Sequence, residues 1–237
     1  MNITSIANDK VKYWSKLHMK KFRDEEHKFI VEGDHLVNIA LQKNLVDELI
    51  CLKDEYDFEN KYIVTEKIME KISSQVSASK VMAVCHYDYT DKIEGNVLLI
   101  DRIQDPGNLG TIIRSASAFN FKTLILSPNT VDVFKDKTIR ASEGMIFNLN
   151  YQKKDLKIAI KELKQLGYRV YGTDVVGGNK ISEKENVAII IGNEGQGMDP
   201  DLKKLCDELI HIPMNKECES LNAGVAASIL MYEVYHE

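Results

Sequence analysis

Proline is scarce in this 237-residue chain, with four in all, and only 13 glycines and four cysteines accompany it. So little proline and glycine, with no period, excludes collagen-like and low-complexity classes. Cys51, Cys85, Cys206 and Cys218 form no C-x-x-C pair, which argues against a disulfide scaffold and makes a reduced, cytoplasmic setting the default. The six histidines form no H-x-x-x-H pair and no His/Cys cluster, so no metal site is expected. Long apolar runs are missing too. The longest uncharged stretch near the C-terminus, Ser220 to Tyr232, contains Asn222, Gly224 and Ser228 and falls short of the roughly 20 apolar residues of a membrane span. No apolar segment follows Lys10, Lys12 and Lys16, so no signal peptide is expected.

What is present is ordinary globular material. Hydrophobic residues make up 44% and charged residues 28%, enough for a sizeable core in one large domain or two small ones. The net charge of −5 argues against indiscriminate coating of nucleic acid, but it is unevenly spread. Residues 1–23 hold Lys10, Lys12, Lys16, Lys20, Lys21 and Arg23 against the single Asp9, a local excess of +5 that leaves −10 on the rest. A basic arm on an acidic body permits a localised polyanion contact. Residues 8–23 read as one helix with Val11, Trp14, Leu17 and Phe22 roughly on its inner face and lysines on the others. Charge alone leaves two meanings open for the lysines, a solvated face or a surface that meets RNA.

The chain then alternates short strands and helices. Strands are expected at Phe29–Val31, Leu49–Leu52, Tyr62–Val64 and Val81–Cys85, with helices after Gly33 and over 66–73, giving a small α/β domain over 1–90. Tyr87–Gly95 is polar and reads as a linker. From 94 to 237 the strands are more apolar: Val97–Arg102, Thr123–Leu126, Arg169–Thr173, Val187–Ile191 and Leu209–Ile212. Helices fit at 110–119, 136–142, 153–166, 199–206 and 221–235. Continuous runs such as VLLI and VAIII suit a parallel sheet covered on both faces.

Three constellations stand out in this second domain. In DPGNLGTIIRSASAF a strand gives way to a turn and a helix, with Asn108 at the helix mouth, where backbone N–H groups attract anions, and Arg114 further along among small apolar neighbours. In IIIGNEGQGM a buried strand runs into a loop with glycines at 192, 195 and 197 around Glu194. Neither the G-x-G-x-x-G nor the P-loop order is met, which argues against a nucleotide triphosphatase, while the glycines allow a ligand to approach the backbone closely. In HIPMNKECESLNAGVAASILMYE a strand ends at Ile212 and Met214, and a helix of small residues opens at Ser220 or Asn222. Each alone reads equally well as a capped helix, a turn or a tight helix contact.

Together, in order, spacing and residue type, they resemble the three motifs of the SpoU (TrmH) family of RNA ribose 2′-O-methyltransferases, within the SPOUT superfamily. KFIVEGDHLVNIALQ is similar to the start of that family's N-terminal domain, which is related to ribosomal protein L30e. The chain departs from the usual pattern at Gly224, where the family commonly has Ser. The resemblance implies an α/β fold with a deep trefoil knot in the C-terminal parallel-sheet domain (94–237), preceded by an L30e-like RNA-binding domain (1–90). It implies S-adenosylmethionine as methyl donor, held by Gly192, Ile212, Met214 and Leu221, and no metal. Arg114 is implied at the reacting hydroxyl and pointed toward the glycine loop, with Asn108, Glu194, Ser220 and Asn222 in support. It further implies a homodimer through helix 221–235 and an RNA substrate, 23S rRNA ahead of tRNA, with Lys12, Lys16, Lys20, Lys21 and Arg23 on the RNA. Two other readings compete: a non-catalytic RNA-binding or ribosome-assembly protein of the same fold, and a nucleotide-binding enzyme for small molecules. The first would tolerate loss of Arg114 or Glu194, and both are present; the second needs a phosphate fingerprint that is missing.

Overall fold

A computed structural model describes residues 1–175 and 177–235, which form two compact units. The first unit comprises Met1–Asp88 together with Phe134–Phe147, and the second comprises Tyr89–Val133 and Asn148–Glu237.

In the first unit the strands β1 (Asn2–Ile3), β2 (Lys28–Glu32), β3 (Val46–Cys51), β4 (Lys61–Val64) and β5 (Val81–His86) form a mixed sheet in the order β1-β4-β3-β5-β2. The expected single helix over 8–23 is two, α1 (Asp9–Lys16) and α2 (Lys20–Glu26). The break has a physical cause: Met19 is extended, and the Arg23 guanidinium donates to the Leu17 carbonyl at 2.8 Å, satisfying an acceptor that a continuous helix would have used. Helices α3 (Asp34–Gln42) and α4 (Glu66–Ile72) complete this part. Trp14, Leu17, Ile50, Ile68, Ile72 and Met82 form its core, and the Trp14 indole N–H donates to buried Glu48 at 2.8 Å.

In the second unit six strands lie in one parallel sheet, as VLLI and VAIII suggested. They are β6 (Asn96–Ile100), β7 (Phe121–Leu126), β8 (Asn150–Lys153), β9 (Arg169–Thr173), β10 (Val187–Ile191) and β11 (Glu208–Ile210), in the order β11-β9-β10-β6-β7-β8. Strand β8 (NYQK) escapes sequence reading because it has no apolar run. Helix α5 spans Pro106–Ala118, four residues earlier than expected: Asp105 caps it by accepting from the Asn108 N–H at 2.9 Å, and Pro106 takes the first turn. The helix α6 (Asp136–Ala141) departs from the expected domain division. With Phe134 and Phe147 it packs in the first unit, where Phe134 stacks on Tyr87 at 3.9 Å and Phe29 lies 4.8 Å away. The remaining helices are α7 (Leu156–Gln165), α8 (Pro200–Lys203, shorter than the 199–206 expected) and α9 (Ala223–Tyr235). One face of the sheet packs on α7 and α8 through Leu99, Ile125, Ile160, Leu163, Ile190 and Leu202, while α5 and α9 pack together beside β7 and β10.

Candidate active site

A cavity of about 390 Å³ opens at the carboxyl ends of β9, β10 and β11. That is where an open parallel sheet receives its ligand, and the size lies within the about 300–1,000 Å³ of small-molecule pockets. The glycine loop forms one wall. It closes on itself by paired backbone bonds between Asn193 and Gly197, at 3.1 and 2.9 Å, while the Asn193 side chain accepts from the N–H groups of Gly195 and Gln196. A Cβ on Gly192 would sit 2.4 Å from the Met198 nitrogen, so only glycine lets the loop close. A Cβ on Gly195 would meet only the Asn193 Oδ1 at an ordinary 3.8 Å, and its φ is not left-handed, so the close-approach argument does not apply there.

Arg102, which sequence reasoning missed, holds this loop from the next strand. Its backbone is left-handed (φ 56°), uncommon without glycine. Its guanidinium clasps the buried Asp101 carboxylate at 2.7 and 2.9 Å and reaches Gln196 Oε1 at 3.0 Å, while its carbonyl accepts from Asn193 Nδ2 at 2.7 Å. Asp101 also accepts from the Asp199 N–H at 2.9 Å. Both ends of the glycine loop are thereby tied to the end of β6. A charged dipeptide directly after the buried run VLLI was the available signal.

Glu194 binds the second wall. Its carboxylate accepts from the backbone N–H groups of Gln104 (3.1 and 3.2 Å) and Asp105 (3.1 Å) and from Asn108 Nδ2 (3.1 Å). Asn108 Oδ1 in turn accepts from Asn222 Nδ2 at 2.8 Å, and Asn222 Oδ1 caps α9 by accepting from the N–H groups of Gly224 and Val225. One chain of hydrogen bonds thus fastens all three constellations together. Partial burial alone would raise the Glu194 carboxyl, but donation from Asn108 and the backbone of Asp105 and Gln104 outweighs it and holds the group below the ordinary glutamate range. An ionised carboxylate saturated by donors is a poor proton acceptor at neutral pH, which makes Glu194 an organiser of the loops. Its contribution is complete above the ordinary glutamate pKa of about 4.3 and is lost as pH falls through the lower folded value. Cofactor affinity, measured by calorimetry across pH, is therefore expected to be flat from neutrality to about pH 4.5 and to fall below it. Glu194→Gln, which turns an amide toward N–H donors, is expected to weaken binding roughly tenfold at neutral pH and to remove the acid limb of the profile.

Gly192, Ile212, Met214, Leu221, Glu194 and Ser220 all line the cavity, together with Thr173, Asp174, Lys203 and Leu230, which the sequence had not singled out. Asp174 and Lys203 pair at 2.7 Å. The rule that ligands sit beyond the carboxyl ends of parallel strands would have found Thr173 and Asp174. Asn108 and Asn222 stand behind the wall as braces. Arg114 is not where it was expected. The inward face of α5 is taken by Leu109, Ile112, Ile113 and Ala116, so Arg114 faces solvent and lies outside the cavity lining. Among the described residues it makes no hydrogen bond or ion pair. Gly224 lies where α9 meets α5: a Cβ there would stand 3.0 Å from the Thr111 side chain, and Ser115 and Ser228 hydroxyls meet at 2.7 Å across the same seam.

The basic arm is largely neutralised. Lys12 pairs with Asp9 at 2.8 Å, Lys20 with Asp24, and Lys21 with Glu25 at 3.8 Å. Arg23 is 3% exposed and serves the α1–α2 break, so it is not available to a phosphate. The excess of +5 came from stopping the count at residue 23, just before three acids.

A parallel α/β sheet with a ligand cavity at its carboxyl edge, walled by a glycine loop and braced by a Glu–Asn–Asn chain, defines an α/β enzyme domain that takes a small polar ligand; a smaller α/β unit accompanies it. The SpoU rRNA Methylase family profile matches residues 95–232, and that of the MRM3-like substrate binding domain matches residues 8–83. The 23S rRNA (guanosine(2553)-2′-O)-methyltransferase RlmP of Bacillus subtilis is 38% identical, covering 98% of each chain. An AdoMet-bound rRNA methyltransferase from Sinorhizobium meliloti superposes with a TM-score of 0.89 at 28% identity, covering 99% of this chain and 97% of that one. The SpoU methyltransferase AviRb from Streptomyces viridochromogenes shares the fold, with a TM-score of 0.83 at 24% identity, over 96% and 97% of the two chains. The chain belongs to the SpoU rRNA Methylase family.

Proposed function

We propose that the protein transfers a methyl group from S-adenosylmethionine to the 2′-hydroxyl of a guanosine ribose in 23S rRNA. The observation that carries this is the hydrogen-bond chain Glu194–Asn108–Asn222, which closes three loops around one cavity. The residues present fit the donor. Ile212, Met214, Leu221 and Leu230 offer apolar surface for an adenine, the glycine loop exposes backbone groups, and the Asp174–Lys203 pair supplies charges for polar ends. When bound, the sulfonium supplies an already activated methyl group. The protein's own task is to align the ribose hydroxyl and to assist loss of its proton. Arg114, exposed and unpaired, is free to meet RNA from the solvent side: its planar fork suits the phosphate beside the target ribose and the charge that develops on the oxygen. Ser220, exposed and part of the cavity lining, orients the hydroxyl in this reading. The likeness to RlmP over the whole chain favours 23S rRNA over tRNA.

Two further readings belong here. The segment between β11 and α9 supplies cavity wall and then returns to α5, a course that suits the knotted path of the family. A homodimer through α9 is supported by an apolar stripe on the surface: Val225, Tyr232 and Tyr235 are exposed, and Phe119 packs edgewise on Tyr232 at 5.7 Å. Light scattering is expected to give twice the 27.0 kDa chain mass at micromolar concentration, and Tyr232→Glu to return it to 27.0 kDa.

The decisive experiment incubates purified protein with methyl-labelled S-adenosylmethionine and 23S rRNA or tRNA transcripts, then maps 2′-O-methylated positions. Label in one guanosine ribose of 23S rRNA is the expected result. S-adenosylmethionine binding without transfer to any RNA would favour the non-catalytic reading.

A further inference from the structure

The geometry points to a nucleotide-binding notch between α1 and α2 that receives an unpaired base of the substrate RNA, an inference that rests on the proposed action on RNA. The break at residues 17–19 folds the two short helices around a cavity of about 310 Å³. Leu17, 1% exposed, closes its bottom; Tyr13 and Phe22, both half-buried, line it from α1 and α2. A continuous helix over 8–23 could not have formed it.

The side chains around the notch match a nucleotide part by part. The Lys16 ammonium lies 5.3 Å from the centre of the Phe22 ring, makes no ion pair among the described residues, and acts on the Asp9 carboxylate only through space. A ring face that holds a lone cation in place of core packing is a face on which a base can stack. A base entering over Phe22 displaces the ammonium toward the adjoining phosphate, exchanging a solvated cation–ring contact for stacking plus a charge pair. Lys12 is the second cation at the rim. Its pair with Asp9 is exposed on both sides and is worth little, so it opens cheaply to a phosphate. Asp9 and Glu26 also line the notch. Their carboxylates repel phosphate and accept from N–H and O–H donors, so an amino or imino base edge or a ribose hydroxyl can face Glu26 while the phosphate stays on the lysine side. This accounts for a lysine-rich segment that is nearly neutral in sum. The segment binds a nucleotide through a ring, the Lys16 ammonium over it and a Lys12 released from its exposed pair with Asp9, and not through bulk charge.

The test uses the full chain, a 23S rRNA transcript as substrate, and Phe22→Leu, Phe22→Trp and Lys16→Gln, with Lys43→Gln as an exposed control outside the notch. Phe22→Leu is expected to raise KM for RNA about tenfold, the loss of one stacked base, leaving KM for S-adenosylmethionine and kcat unchanged. Phe22→Trp, which keeps a ring, is expected to hold RNA KM near that of the parent even if both variants melt earlier. Lys16→Gln is expected to raise RNA KM and to lower the slope of log affinity against log salt by about 1. Equal RNA KM for Phe22→Leu and the parent overturns the notch while the methyltransferase reading stands. A parent that binds the transcript through Phe22, yet methylates nothing, overturns that reading and leaves the notch.

Discussion

Arg114→Ala is expected to lower turnover by about 10²–10³-fold, the usual cost of removing one donor aimed at developing charge. Affinity for S-adenosylmethionine should stay within about twofold, because Arg114 lies outside the cavity lining and holds none of its walls. Folding should be equally untouched, since the side chain is exposed and supports no other group. A guanidinium stays protonated and is a poor base, so its role at the ribose is to hold phosphate and to stabilise the alkoxide as the proton departs to a phosphate oxygen or water. Arg114→Lys separates these roles from simple charge. Lys keeps the charge and loses the fork, and turnover is expected to remain at least about tenfold down. Single-turnover kinetics with saturating RNA reads this directly. Full activity in Arg114→Lys would reduce the role to net charge, and full activity in Arg114→Ala would remove the residue from the reaction.

Gly192→Ala is expected to cost the cofactor site itself. The added Cβ would stand 2.4 Å from the Met198 nitrogen and 2.7 Å from the Gly197 carbonyl carbon, both backbone atoms with no rotamer to yield. The loop must open at the Asn193–Gly197 closure, which carries Glu194 away from Asn108 and Arg102 away from Gln196. Calorimetry should show S-adenosylmethionine affinity reduced more than about 100-fold, equivalent to the loss of about 2.7 kcal/mol. The sheet lies behind the loop and should keep its far-ultraviolet dichroism. An affinity within threefold of the parent would mean that the loop can close another way.

Much of this site could be read from residue order alone. Asn108, Glu194 and Asn222 were marked by their motifs, and the structure links them by hydrogen bonds. VLLI and VAIII announced a sheet buried on both sides, and six parallel strands follow. What escaped did so for physical reasons. The α1–α2 break depends on Arg23 reaching the Leu17 carbonyl, a tertiary-scale contact that helical periodicity over 8–23 cannot report. Strand β8 is held by its neighbour β7 more than by its own polar sequence. The helix expected at 136–142 reads as part of the second domain because the aromatic stacking that draws Phe134 to Tyr87 and Phe29 has no local signature. The early start of α5 was legible and was missed: Asp-Pro is a helix-opening pair, and the Pro-Gly that follows was taken for a turn. Arg114 shows the opposite error. Its place in the motif suggested a side chain aimed at the cavity, but the apolar spacing of Leu109, Ile112, Ile113 and Ala116 already assigned it to the outer face.

The brace that runs from Glu194 through Asn108 to Asn222 spans 86 and 114 residues of sequence in its two links. The second link is the later to form while the chain is being synthesised, since every strand of the sheet is complete by Ile210, before Asn222 has been added. A nascent or prematurely terminated protein would therefore possess its whole sheet and its N-terminal unit yet lack a closed cavity. A cavity able to close on its ligand would then appear only once residue 222 has been made, later than the sheet that frames it.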